Sequence, residues 1–248
     1  LGIFSAANAL STMFINLVLV AMASDYYPRL TSAVPDRLAV NRLVNEQIEI
    51  GILLALPGLL ATIALAPWVI RTLYTSEFLP AADLLQWFML GCLGRVIAWP
   101  LEYVMVALGR ARLYFFTMLG FNLLHLLMVV IGLFNFGIEG VAAAYSCVYL
   151  ITIPVLWVIT QKLTNFSWSR DLVRLTFFFL VPFTATSFSL VHTFSLWPAT
   201  LLGLAITVVA SIVSARVLVV RIGQDHRIVL RICQFPGMRW ILGIKVFQ

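Results

Sequence analysis

Charge is what this sequence has least of. Of 248 residues only 10% are Asp, Glu, Lys or Arg, whereas 62% are apolar; soluble domains carry about 25% charged and about 45–50% apolar residues. A water-facing exterior is therefore excluded, and a bilayer is the implied solvent. Cysteine is scarce as well. Cys92 and Cys147 fall inside apolar runs and Cys233 lies near the C-terminal end, so neither a disulfide framework nor a close-spaced metal motif is available. The histidines begin His125-Leu126, His192-Thr193 and His226-Arg227, which rules out an HExxH zinc site. Lys162 and Lys245 follow no glycine-rich phosphate loop, and no Gly-x-Ser-x-Gly elbow occurs. No segment between apolar runs is long enough to fold as a domain. The chain calls for no cofactor and no metal, and it reads as something other than an enzyme.

What it does have is length of apolar run. Crossing a hydrocarbon core of about 30 Å takes about 20 apolar residues in a helix. The runs 3–22, 48–70, 84–108, 113–134, 138–160, 175–196 and 198–220 all qualify. Continuous runs, without period-two alternation, predict helices, each satisfying its own backbone. The fold class is thus all-α integral membrane with about seven transmembrane helices. The split between the last two runs rests on turn signals around His192, Ser195 and Pro198. Basic residues fall almost wholly on alternate loops: Arg29, Arg37 and Arg42; Arg110 and Arg112; Lys162, Arg170 and Arg174; then six from Arg216 onward. Only Arg71 lies on the other side, and Arg95 lies inside a run. The positive-inside rule makes the basic side cytoplasmic, with residue 1 outside and the C-terminus cytoplasmic. The net charge of +6 is spread over helix ends, which suits anionic headgroups better than nucleic acid.

Between the first two runs, residues 35–50 read as a short amphipathic helix lying along the headgroups, with Leu38, Leu43, Val44 and Ile48 on one side and an Arg42/Glu46 pair on the other. Pro57, Gly58 and Pro67 in the second run, and Gly91, Gly94 and Pro100 in the third, predict kinks or breaks at membrane depth. Tyr74, Trp68, Trp87, Trp99, Trp157, Trp168 and Trp197 fall mostly near run ends, as an interfacial belt would. Residues 221–248 read as a basic amphipathic tail with Trp240 as anchor.

The informative polar residues are those inside runs. Arg95 and Glu102 stand seven residues apart on the third run, about two turns and about 10 Å along the axis, hence on one face. An Arg near the bilayer centre costs at least about 2.5 kcal/mol, so this face should meet a cavity or another helix and not lipid. Two roles fit: holding an anionic headgroup through bidentate guanidinium contacts, or mutual neutralisation with Glu102. Asn122 and His125, three apart on the fourth run, share a helix surface; they suit sugar hydroxyls or a proton, or hydrogen bonds across helices. Asn8 and Asn16 in the first run invite the same two readings.

Several stretches together resemble a known family. Tyr26-Tyr27-Pro28-Arg29-Leu30, Ala66-Pro67-Trp68-Val69-Ile70-Arg71, Phe78-Leu79-Pro80-Ala81, Gly109-Arg110 and Gly137-Ile138-Glu139-Gly140-Val141-Ala142-Ala143-Ala144 resemble, in this order, the O-antigen or polysaccharide flippases of the Wzx type. Those belong to the superfamily that includes exporters of the MATE type and the lipid II flippase. The resemblance covers residues 1–165 and implies one bundle of a two-bundle flippase: 1–165 as a bundle like the family's second half, 166–220 as two further helices, and 221–248 as the tail. It further implies the bacterial inner membrane and a substrate of oligosaccharide on an undecaprenyl pyrophosphate carrier, destined for cell-surface polysaccharide. Arg95, Glu102, Asn122 and His125 are then the substrate-binding residues, with the bilayer and a missing N-terminal half of the same protein as partners. A chain opening at Leu1 without Met agrees with a fragment. A proton-coupled multidrug exporter is the nearer rival, and a membrane-embedded sugar-transfer enzyme the farther one.

Overall fold

A computed structural model describes residues 2–222; the tail expected over 221–248 lies outside them beyond Ile222. Among the described residues all regular structure is helical. Helix α1 spans Gly2–Ala33, α2 Arg37–Leu73 and α3 Ala81–Ala107. The stretch Ala111–Thr164 is two helices, because Gly137 at its middle has φ 66 and ψ −146, far outside helical values. We label its arms α4 (111–136) and α5 (138–164). A helical stretch from Arg170 to Thr193, α6, carries a π turn over Thr176–Leu180, and α7 spans Leu196–Ile222. Six helical stretches are long and apolar enough to cross a membrane; folding back at Gly137 turns the fourth into two, giving seven crossings. The protein is a multi-pass membrane bundle.

Local chemistry explains the boundaries. Asp36 caps α2, its carboxylate accepting from the Leu38 amide at 2.8 Å, and Ser169 caps α6, its hydroxyl accepting from Leu172 N at 3.1 Å. Asn165 ends α5 in the left-handed conformation, φ 57. The α4–α5 hairpin closes where Gly132 and Gly140 lie back to back. A Cβ on either would run into the other's carbonyl, so only glycine allows the backbones to meet there.

Two expectations are corrected. The amphipathic stretch 35–50 is not a separate helix along the headgroups, because α2 continues through it without interruption. No proline breaks it before Pro57, and its polar side chains Asn45 and Glu49 are buried, 6% exposed each. Asn45 Nδ2 donates to Ser167 O at 3.0 Å, and its Oδ1 accepts from Ser169 N at 2.8 Å. Asn45 is thus satisfied by the α5–α6 loop, and Glu49 by Arg221 of α7, so neither needs the membrane surface. The expected Arg42/Glu46 pair forms, at 3.6 Å. Nor do the prolines and glycines break α2 and α3, which are each continuous. The glycines instead admit neighbours: Gly58 makes room for the Phe14 ring of α1, and Gly51 for Met22.

Helix α3 is the central element, flanked by α1, α2 and α5. Tyr26 Oη of α1 donates to Pro100 O of α3 at 2.9 Å, and Trp99, only 8% exposed, packs on Tyr26 and Tyr103. Trp99 thus belongs to a helix interface and not to the belt. Trp68 and Trp197 do sit together at one end of the bundle, their rings 4.9 Å apart, and Trp68 Nε1 donates to Thr200 Oγ1 at 3.0 Å. At the other end, the one carrying the basic loops, Arg221 of α7 reaches Glu49 of α2 at 3.0 Å and Asp171 of α6 at 2.9 Å.

Candidate functional site

Helix α3 places the site. Along its 27 residues only Asp83, in the first turn, and Arg95 are exposed. Arg95 lies near the middle of the helix, at about the depth of the bilayer centre. Its neighbours are set by two glycines. A Cβ at Gly91 would overlap the Tyr145 ring, and one at Gly94 would come within 2.5 Å of the Tyr149 Cβ. Because α3 has no side chain at these points, α5 lays Tyr145 and Tyr149, one turn apart, directly on its backbone. That approach brings both phenols within electrostatic reach of the Arg95 guanidinium.

The result is a cavity of about 370 Å³ between α3, α4 and α5. Arg95, Glu102, Asn122 and His125 all line it, together with Tyr114, Phe121, Tyr145, Tyr149 and Thr152. The four residues singled out from the sequence therefore meet in one place. The two within-run pairs, each on its own helix, turn out to face each other across an antiparallel contact. Arg95 and Glu102 form no ion pair among the described residues, whose ion pairs are those of Arg29, Arg42 and Arg221, yet each lies within electrostatic reach of the other. Asn122 does not bond across helices either; its Nδ2 donates to Met118 O of its own helix at 2.7 Å. The His125 ring lies 5.9 Å from that of Tyr145.

Sequence reasoning missed the tyrosines. Within runs so rich in aromatics, Tyr114, Tyr145 and Tyr149 carry no mark of their own. The signal was in the partner helix, where Gly91 and Gly94 create a bed for two rings spaced by four residues.

Helix α1 adds a second polar surface. Asn8, Thr12 and Asn16 are all exposed at four-residue spacing, a strip along one side of the helix. Asn8 stands about five helical turns from Tyr26, so the two point the same way. Tyr26 touches α3, and the strip therefore begins beside α3. A row of amides and hydroxyls at membrane depth is disfavoured against lipid chains and fits a watery passage or another helix.

Comparison with known proteins gives a family match over part of the chain and a fold. Residues 1–83 match the family model described as polysaccharide biosynthesis protein. No curated protein matches the chain in sequence. A solved structure of the lipid II flippase MurJ in its inward closed conformation superimposes with a TM-score of 0.65 over 88% of this chain, at 17% sequence identity. The chain spans 48% of the length of that structure. The N-terminal third of the chain thus carries the polysaccharide-biosynthesis signature, and the whole described bundle has the fold of about half of a solved lipid flippase.

Proposed function

We propose that the chain is one bundle of a flippase that moves undecaprenyl-pyrophosphate-linked oligosaccharide, such as O-antigen repeat units, across the bacterial inner membrane for cell-surface polysaccharide biosynthesis. The observation that carries this reading is the single guanidinium exposed at mid-bilayer on an otherwise enclosed helix, inside a cavity that also offers a carboxylate, an amide, an imidazole and phenols. A drug exporter for lipophilic cations has no use for an unpaired arginine at that place; a pyrophosphate does, because a guanidinium matches phosphate oxygens two at a time. Sugars need hydroxyl partners, and Glu102, Asn122 and His125 supply them. The lipid tail remains in the bilayer while its head passes through the wetted surface formed by this cavity and the polar strip of α1.

Alternating access needs one bundle to rock against another, so the partner in transport is a second, N-terminal bundle of the same kind. The basic end faces the cytoplasm, and with it the C-terminus. Helices α1 to α5 form the bundle proper, and α6 and α7 are appended to it.

Flipping of a fluorescent lipid-linked oligosaccharide in proteoliposomes tests the reading on the complete transporter. Arg95→Ala should slow it by about tenfold to a hundredfold, the worth of a charge-assisted contact, with Arg95→Lys intermediate. An unchanged rate in Arg95→Ala would refute the assignment. Orientation is checked separately: impermeant thiol reagents should label Arg112→Cys from the cytoplasm and Ser195→Cys from the periplasm, and labelling of both from one side would overturn it.

A further inference from the structure

The cavity has two chemically distinct ends. Arg95 and Glu102 are on one face of α3 but about 10 Å apart along the axis, and no ion pair joins them among the described residues. On the facing wall, α4 runs in the opposite direction. Its Tyr114, Met118, Phe121, Asn122 and His125 all line the cavity, the stripe expected of one helical face. Antiparallel pairing sets Tyr114, in the first turn of α4, level with Glu102, in the last turns of α3; of the groups around it Tyr114 feels Glu102 most, then Tyr103, and Arg95 least. The deeper stretch, Phe121 to His125, comes level with Arg95 and Tyr145.

Tyr114 also differs from the other two cavity tyrosines. The Tyr145 ring is packed edge to face with Phe88 and Tyr149, at 5.7 and 5.6 Å, and is bedded on Gly91. Among the described residues no ring packs against Tyr114, and no hydrogen bond engages its hydroxyl. Its face is available to a ligand, beside a carboxylate that is likewise without a bonded partner.

We propose that Tyr114 and Glu102 form a sugar subsite, separate from the phosphate subsite at Arg95 and displaced from it toward the basic end. The proposal rests on the flippase reading above. A pyranose presents one face of C–H groups and a rim of hydroxyls. An aromatic ring suits the first, since its electron-rich face attracts the weakly positive C–H edges, and a carboxylate accepts from two neighbouring hydroxyls at once. The separation of about two turns is what a substrate with both groups requires. A carboxylate beside the pyrophosphate would repel it, whereas two turns away the same group meets only neutral hydroxyls. The cavity volume lies at the small end of the range for small-molecule sites, about 300–1,000 Å³, which accommodates one sugar with its phosphate; the rest of an oligosaccharide lies outside it.

The test compares two carriers on the complete transporter in lipid nanodiscs: undecaprenyl pyrophosphate alone, and the same carrier bearing one N-acetylhexosamine. The quantity read is the ratio of their dissociation constants, the affinity gained from the sugar. In the wild type this gain should be about tenfold or more, one good stacking contact plus a pair of hydroxyl bonds. Tyr114→Leu should bring the ratio close to one, Tyr114→Phe should keep most of it because the ring remains, and Glu102→Gln should give an intermediate ratio. If Tyr114→Leu keeps the wild-type ratio, or if Tyr114→Phe loses it as fully as Tyr114→Leu does, the subsite is overturned while the phosphate reading stands. If the wild type binds neither carrier, the flippase reading falls and the subsite falls with it.

Discussion

Two arginines in this bundle are surrounded by polar groups, and they are used in opposite ways. Arg221, at the basic end, reaches two carboxylates at 2.9 and 3.0 Å, one of them the buried Glu49. Its charge is matched by side chains of α2 and α6, and it ties the ends of three helices together. Arg95, near the middle of α3, has phenols for neighbours and a carboxylate two turns away that it feels without forming an ion pair. Arg221 is matched by two carboxylates at ion-pair distance; Arg95 has none at that distance. On the flippase function proposed above, a bundle that satisfies one guanidinium with its own carboxylates leaves the second to be satisfied by the substrate.

The same contrast sorts the expected effects of substitution. The largest should come from Gly91→Ala. Alanine in a helix is ordinarily better than glycine by up to about 1 kcal/mol, but here its methyl meets the Tyr145 ring, and overpacking costs about 1–3 kcal/mol. Transport should fall toward background as Arg95 loses its neighbour, with thermal unfolding in detergent shifted downward. A more stable, fully active Gly91→Ala would mean that the glycine bed does not position the site. Next comes Glu49→Gln, which leaves Arg221 with one carboxylate. Because Arg221 is 43% exposed, water compensates for much of the loss, and about 1–2 kcal/mol of stability should go; flipping per folded molecule should hold, and a transport defect larger than the stability defect would blur the distinction between the two arginines. Asn45→Ala removes the bonds to Ser167 and Ser169 and should cost about 1 kcal/mol, read as earlier proteolysis within the 165–169 loop. The smallest effect belongs to Arg42→Ala on the exposed 3.6 Å pair with Glu46: within about 0.5 kcal/mol, and a larger loss would show that the basic-end network is cooperative.

How much of this was legible beforehand follows from the reach of each interaction. The seven crossings were readable because burial in lipid demands long apolar runs, and even the hairpin at Gly137 fell between two of them. The face shared by Arg95 and Glu102 was readable from helical spacing alone, as was that of Asn122 and His125. That the two faces meet was not, since helix pairing depends on which surfaces fit, and the fit here is decided by missing side chains at Gly91 and Gly94. The glycines and prolines look like breaks in a one-dimensional reading; in three dimensions the glycines are the points of closest approach. Residues 35–50 misled for a related reason. Their polar groups look destined for water or headgroups until Ser167, Ser169 and Arg221, more than a hundred residues later, come to cover them.

At about 1.5 Å per residue, the 37 residues of α2 make a rod of about 55 Å in a film whose oily layer is about 30 Å thick. Indole rings grip it near one extremity; toward the other, a guanidinium and a loop hold it at Glu49 and Asn45, inside the tip. A stiff shaft held at these two places, its first turns overhanging, cannot tilt without sweeping that free shoulder through the aqueous phase, so a spin label near Asp36 would report, from the water, a swivel taking place in the oil.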